Sequence, residues 1–284
     1  MKSLLFSLWT LITLGLLGFA CYQAAYVAPT EATMFDAQRI FYYHVPAAAA
    51  AFSLFIVNCI ASIIYLRTRS QWSDALAATG AEVGVVFCGV VLITGPIWAR
   101  YAWGTFWVWD ARLTTTLLLW LLYVSYLILR RSAEAGSTSV LAAAWAIFAS
   151  LDIPIVYMSN RWFRTNHPQP VIFNEGLDPR MKVVLGWCFL AFMAFGFLIA
   201  WFRYDLERLA QKINAAHIRK AARGTMAGML AIPGLFAFQL TSHWPPIRYF
   251  HAGALAAWTI YLVYLLILFR KFFTLKKEMQ ELGG

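Results

Sequence analysis

Between Trp103 and Thr114 the chain reads Trp-Gly-Thr-Phe-Trp-Val-Trp-Asp-Ala-Arg-Leu-Thr, which sets Trp103, Trp107 and Trp109 beside one acid, Asp110, and one base, Arg112. Aromatic faces make a flat, rigid, apolar platform, and a guanidinium meets a carboxylate with paired donors. A large planar ligand with anionic edges needs both. The plainer reading is a membrane-interface anchor, because Trp and Tyr gather where an apolar ring has a wet polar tip. Asp110, just ahead of an apolar run, also suits a helix N-cap. Anchoring requires no particular order of residues, and this segment has one.

Two histidines stand in comparable settings. His44 lies in Phe41-Tyr-Tyr-His-Val-Pro46, and His167 follows Trp162-Phe-Arg-Thr-Asn. Neutral imidazole is a common metal ligand. By residue type alone, both read more readily as interfacial hydrogen-bonding groups than as ligands.

The elements that must position these groups are membrane helices. The 284 residues are 61% hydrophobic with a mean hydropathy of +0.64, which excludes an ordinary soluble domain. Apolar runs recur near the ~20 residues a helix needs to cross a bilayer, and lipid leaves an open sheet edge without partners. The expected fold is all-α, a polytopic bundle of about eight spans: Leu4–Ala20, Pro46–Leu66, Ala75–Trp98, Leu113–Leu129, Ser139–Met158, Val183–Phe202, Thr225–Leu240 and Gly253–Phe269. The seventh is short and contains Pro233.

Of the 23 Lys and Arg, fifteen flank one side of these spans and eight the other. The positive-inside rule then places both termini in the cytoplasm, with His44, the Trp-rich segment and His167 outside. The net charge of +10 does not indicate nucleic-acid binding, since the bases form short flanks rather than a folded basic face. They suit orientation and the anionic inner leaflet. Cys21, Cys59, Cys88 and Cys188 show no C-x-x-C, no haem-attachment motif and no zinc spacing, and read as small core hydrophobes. The basic stretch from Arg203 to Gly224 is expected either to continue the sixth span or to lie on the membrane surface. Glu82 and Asp152 fall inside spans, where a charge is usually paired or functional. Glu82 is expected near the inner entrance of its helix, and Asp152 to hold local structure or a histidine.

The Trp-Gly-x-x-Trp-x-Trp-Asp-x-Arg-Leu-Thr order resembles the tryptophan-rich "WWD" signature of the haem-handling proteins of cytochrome c maturation, most closely the CcmC (haem exporter protein C) family. The first histidine block and Leu151-Asp-Ile-Pro-Ile-Val-Tyr-Met-Ser159, with the residues up to His167, resemble the family's two histidine loops and occur in family order, from about Met1 to Arg203.

The resemblance implies non-covalently bound haem b with His44 and His167 as axial ligands. It further implies Trp103, Trp107, Trp109 and Trp162 as stacking groups, Arg112 as a propionate partner, and Asp110 orienting Arg112 or a Trp N–H, or capping the fourth helix. Arg100, Arg161 and Arg164 are further candidates on the same face. The implied function is haem presentation at the periplasmic face of the bacterial inner membrane to a CcmE-type chaperone. The implied partners are CcmA/CcmB-type transporter subunits and a small CcmD-type subunit. No phosphate-binding G-x-x-x-x-G-K-[ST] loop is present, so ATP hydrolysis belongs to partners. The chain is expected to handle haem rather than act as an enzyme.

Three parts are expected: 1–203 as the family-like domain with the Trp-rich segment at about 98–114, 204–224 as a cytoplasmic basic connection, and 225–284 as an added helical pair. The chain departs from the family in carrying Phe163 where a second adjacent tryptophan is frequent, and in having two helices beyond the usual six. The outer loop between the added helices carries His243 and His251, which read as a polar cap or as an alternative ligand. Two other functions remain: a CcsA/CcmF-type haem lyase, compatible with the extra helices, and an unrelated solute transporter, which would need ionisable groups near midplane.

Overall fold

Each long apolar run among the described residues folds as a helix, the one arrangement that satisfies every backbone group within its own segment. The computed structural model describes residues 2–131, 137–168, 176–221 and 246–283. It contains α1 (Lys2–Tyr22), α2 (Phe41–Thr68), α3 (Gln71–Trp103), α4 (Ala111–Arg131), α5 (Ser137–Ser150), α6 (Asp152–Trp162), α7 (Pro179–Ala221) and α8 (Pro246–Gly283). Seven helical runs among the described residues are long and apolar enough to span a membrane, α5 and α6 together forming one. The expected seventh span, 225–240, lies outside the described residues, as does His243.

The antiparallel pair α2 and α3 is the centre of the bundle, and its closeness depends on small residues. A Cβ on Gly80 would stand 2.7 Å from the Leu54 carbonyl oxygen, and one on Gly84 2.5 Å from the Phe55 ring. Phe55 stacks in parallel on Tyr123 of α4, with ring centroids 3.7 Å apart. Asn58 Nδ2 donates to the Ala77 carbonyl at 2.7 Å. On the opposite side, Phe87 of α3 meets Phe195 of α7 and Tyr261 of α8. Helix α8 is therefore part of the same core. All four cysteines are free thiols, with Cys88 and Cys188 buried.

One end of the bundle carries ion pairs built on Arg203 of α7 and Arg130 of α4. Helix α7 runs unbroken through Ala221, so the basic stretch continues the sixth span rather than lying flat. Buried Arg203 pairs with Glu82 at 2.7 Å and Glu207 at 2.8 Å, and the Tyr264 hydroxyl donates to Glu82 at 3.1 Å. Glu82 is thus a structural counter-ion joining α3, α7 and α8. Close by, Arg130 grips Asp74 with two bonds of 2.6 and 2.9 Å, the fork geometry that suits guanidinium and carboxylate.

At the other end, short elements close the bundle. Arg39, in a 3₁₀ turn over Asp36–Ile40, is buried and donates to the Ala24 carbonyl at 2.6 Å and to Asp36 at 3.0 Å. That cation is committed to its own loop. The first turn of α8 brings Tyr249 onto Ala37, Ile40, Ile97, Trp98 and Tyr101. The expected fifth span is broken at Leu151. Pro154 explains the break: it has no N–H to donate to Ser150, and its ring clashes with that carbonyl, so it fits only in the first turn of a new helix. The break lets α6 aim the His167 loop back over the bundle.

Candidate functional site

At one end of the bundle, the ends of α2, α3, α4 and α6 bring the histidines, Asp110 and Arg112 together. His44 sits in the first turns of α2, facing α3. Its Nδ1 lies 2.9 Å from Thr94 Oγ1, and the Thr94 hydroxyl proton is already donated to the Val90 carbonyl at 2.8 Å. Thr94 can therefore only accept from the ring, so Nδ1 carries the proton and Nε2 keeps its lone pair. Gly95 is the residue that makes room: a Cβ there would be 3.2 Å from His44 Cε1.

His167 reaches the same arrangement by a different route. Its Nδ1 is 3.0 Å from the Pro168 carbonyl, which only accepts, and 3.3 Å from Asn160 Nδ2, which only donates; the shorter contact favours the proton on Nδ1 and the lone pair on Nε2. Asn160 Nδ2 also donates to that carbonyl at 2.9 Å. His167 and Arg112 are both within electrostatic reach of His44. Burial, then the Arg112 charge, push the His167 pKa down to about 4, so the ring is neutral and ligand-competent at physiological pH. An imidazole whose other nitrogen is anchored is the usual form of a metal-ligating histidine.

Asp110 performs one of the roles expected of it and one that was not. Its Oδ1 accepts from Leu113 N at 2.9 Å, the N-cap of α4. Its Oδ2 accepts from Thr165 Oγ1 at 2.5 Å and Asn166 N at 3.2 Å, and Thr165 Oγ1 in turn accepts from His167 N at 3.0 Å. The signature acid thus tethers the second histidine loop. Arg112 directs Nη1 to the Val156 carbonyl at 2.5 Å and the Tyr157 carbonyl at 3.3 Å, docking α4 on α6, while Nε and Nη2 have no partner among the described residues.

The aromatic residues divide. Gly104 ends α3 in the left-handed region, at φ +73°, and this turn swings the Trp-rich segment across the outer end. Trp107 and Trp109 meet edge to face at 5.5 Å. Trp109 is 76% exposed, whereas the Trp107 indole N–H is buried with no hydrogen-bond partner among the described residues. Trp103 packs edge-on against Trp98 at 5.4 Å and so braces the end of α3. Trp162 is exposed. Of the further arginines, Arg100 lies over the Phe106 ring and donates to the Gly104 carbonyl, Arg161 lies over Tyr157, and Arg164 is exposed. His251 is exposed beside Phe250. Asp152 is buried in the first turn of α6 with Oδ2 unpartnered among the described residues.

Thr94, Thr165, Asn160 and Gly95 were not singled out from sequence. Thr165 and Asn160 lie inside the quoted second block. Thr94 and Gly95 carry no signal of their own, because their role depends on the register between α2 and α3.

The family model described as CcmC, heme exporter protein C, matches residues 1–224. A putative cytochrome c biosynthesis ccmC-like mitochondrial protein of Marchantia polymorpha is 33% identical over 183 residues, 64% of this chain and 78% of that protein. Heme exporter protein C of Escherichia coli K12 is 32% identical over 167 residues, 58% of this chain and 68% of that protein. Heme exporter protein C of Bradyrhizobium diazoefficiens is 31% identical over 211 residues, 73% of this chain and 78% of that protein. With the match spanning the histidine loops, the Trp-rich segment and the first seven helices of the bundle, the chain belongs to the CcmC (heme exporter protein C) family.

Proposed function

We propose that this protein binds haem b non-covalently at the periplasmic end of its bundle and presents it to a CcmE-type haem chaperone during cytochrome c maturation. The observation that carries the reading is a pair of imidazoles at one end of the bundle, each held at Nδ1 by a neighbouring acceptor, an arrangement that favours free Nε2 lone pairs on both.

Haem is the cargo, and its iron offers two axial positions that imidazole fills. The donor set present fits it. His44 and His167 supply the axial nitrogens. Trp107, Trp109 and Trp162 offer apolar faces, with Trp103 bracing the segment that carries the first two. The unpartnered Trp107 N–H and the remaining donors of Arg112 suit propionate oxygens. Asp110 does not meet the anionic cargo; it fixes the loop on which His167 stands. Trp109, exposed at the rim, leaves an edge open to an acceptor.

The setting follows from the same reading: an inner-membrane assembly in which CcmA/CcmB-type subunits supply ATP hydrolysis and a CcmD-type helix joins them. The chain itself handles haem and performs no chemistry on it. Residues 1–203 form the haem-handling part, 204–224 the basic connection and 225–284 the addition. Since α7 crosses the first boundary unbroken, that division is functional rather than a break in the fold.

The test is transfer. Full-length protein loaded with haem in detergent is mixed with a CcmE-type chaperone, and the two are separated by affinity capture. The reading predicts that haem passes to the chaperone or holds the two in a complex, and that haem-free protein forms neither. Haem that stays on the membrane protein, with no haem-dependent complex, overturns it.

A further inference from the structure

Resting on the haem-binding reading, the geometry points to an unequal pair of ligands: His44 is the fixed one, His167 the exchangeable one, and Thr165 is the positioning residue that governs the exchange. His44 is built into the close contact between α2 and α3. Its backbone is helical, its Nδ1 is held by Thr94 at 2.9 Å, and a Cβ on Gly95 would stand only 3.2 Å from its Cε1. For His44 to leave an iron atom, its ring would have to give up Thr94 and turn within the crowded α2–α3 contact.

His167 stands on irregular backbone after α6. That backbone is tied down at Pro168 by Asn160 and ahead of it by a relay, His167 N to Thr165 Oγ1 to Asp110 Oδ2, with Asn166 N as a second donor to the same carboxylate. Asp110 is itself immobile, because its other oxygen caps α4. Opening the relay frees the backbone ahead of His167, while the Asn160 tie at Pro168 keeps the loop attached to α6. The exchange then runs with no change in oxidation state. The bond from iron to His167 Nε2 breaks, the imidazole keeps the electron pair, and an incoming donor fills the vacated position while His44 remains bound.

Carbon monoxide, which binds ferrous haem only where an axial position has opened, is the probe. Full-length wild type, Thr165→Val, Thr165→Ser and Thr94→Val are loaded with haem in detergent, reduced and mixed with saturating carbon monoxide, and the Soret change is timed. Thr165→Val is expected to react about tenfold faster or more, consistent with losing a hydrogen bond to a charged acceptor, at unchanged haem stoichiometry. Thr165→Ser should restore the wild-type rate, and Thr94→Val should alter it far less than Thr165→Val does. Asp110→Asn keeps the cap oxygen and removes the acceptor, so it should reproduce the acceleration if Thr165→Val fails to fold. Equal rates in all haem-loaded variants, or greater acceleration in Thr94→Val, overturn the inference and leave haem binding intact. Absence of haem from wild type overturns both.

Discussion

Gly95→Ala tests the site from the far side of the helix pair. The new Cβ would meet His44 Cε1 at 3.2 Å, a few tenths of an ångström inside ordinary contact. The ring cannot simply yield, since Thr94 holds its Nδ1. Overpacking of this kind costs about 1–3 kcal/mol, while Gly to Ala within a helix returns about 1 kcal/mol. The net change in fold stability is therefore small, between about 0 and 2 kcal/mol of destabilisation. The imidazole, however, shifts by the same few tenths, and a loss of about 1.4 kcal/mol in coordination corresponds to a tenfold rise in Kd.

Gly89→Ala is the control on the same helix: its Cβ would rest 3.7 Å from Trp120 Nε1, ordinary contact, so stability should rise slightly and haem affinity stay unchanged. Haem titration followed at the Soret band, beside a thermal melt read by a thiol-reactive fluorophore at buried Cys88 and Cys188, separates the two effects. Wild-type affinity in a folded Gly95→Ala, or an equal loss in Gly89→Ala, would refute the reasoning.

Other consequences follow from the fold. Arg203→Met strands Glu82 and Glu207, and breaking a buried ion pair costs about 3–5 kcal/mol. The same thiol-reactive melt should show a drop of several degrees, partly recovered by adding Glu82→Gln and Glu207→Gln. Trp109→Cys places a thiol at a ring position that is 76% exposed, so a membrane-impermeant maleimide should label it from the periplasmic side of intact cells; labelling only after the inner membrane is opened would reverse the sidedness.

The outer loop should be acid-sensitive. Despite the opposing effect of burial, three hydrogen bonds from Met34 N and from Thr33 N and Oγ1 hold the Glu31 carboxyl below its usual range. A depressed folded-state pKa means stability that is present above the unfolded pKa, near 4.3, and lost as pH falls through the folded value. Hydrogen exchange across residues 28–35 should therefore accelerate below about pH 4, and Glu31→Gln should show fast exchange already at pH 7.

The sequence makes the helices legible because bilayer thickness imposes length and apolarity on each, and all the expected spans that fall on described residues are helical. Proline marks the break at Leu151, but the apolar run extends past it and reads as one span; the interruption follows from the missing N–H at Pro154. The convergence of both histidines with Asp110 and Arg112 could be expected from three blocks in family order.

The work each group does could not. Asp110 had three candidate roles; the structure selects the cap and adds the tether to Thr165, a contact between residues 55 positions apart. Arg112 docks α4 onto α6 as well as facing the site, and Trp103 braces Trp98. Thr94 is one hydroxyl in an apolar helix, and only the register of α2 against α3 gives it a histidine to hold.

The account stands most directly on iron ligation by His44 and His167. Wild type and the His44→Ala/His167→Ala double variant, purified in detergent and supplied with haem, should be compared by absorption spectroscopy, oxidised and then reduced. The account predicts a Soret band with six-coordinate character in wild type that is lost or displaced in the variant. Identical spectra would contradict it, removing both histidines from the iron and directing attention to His251.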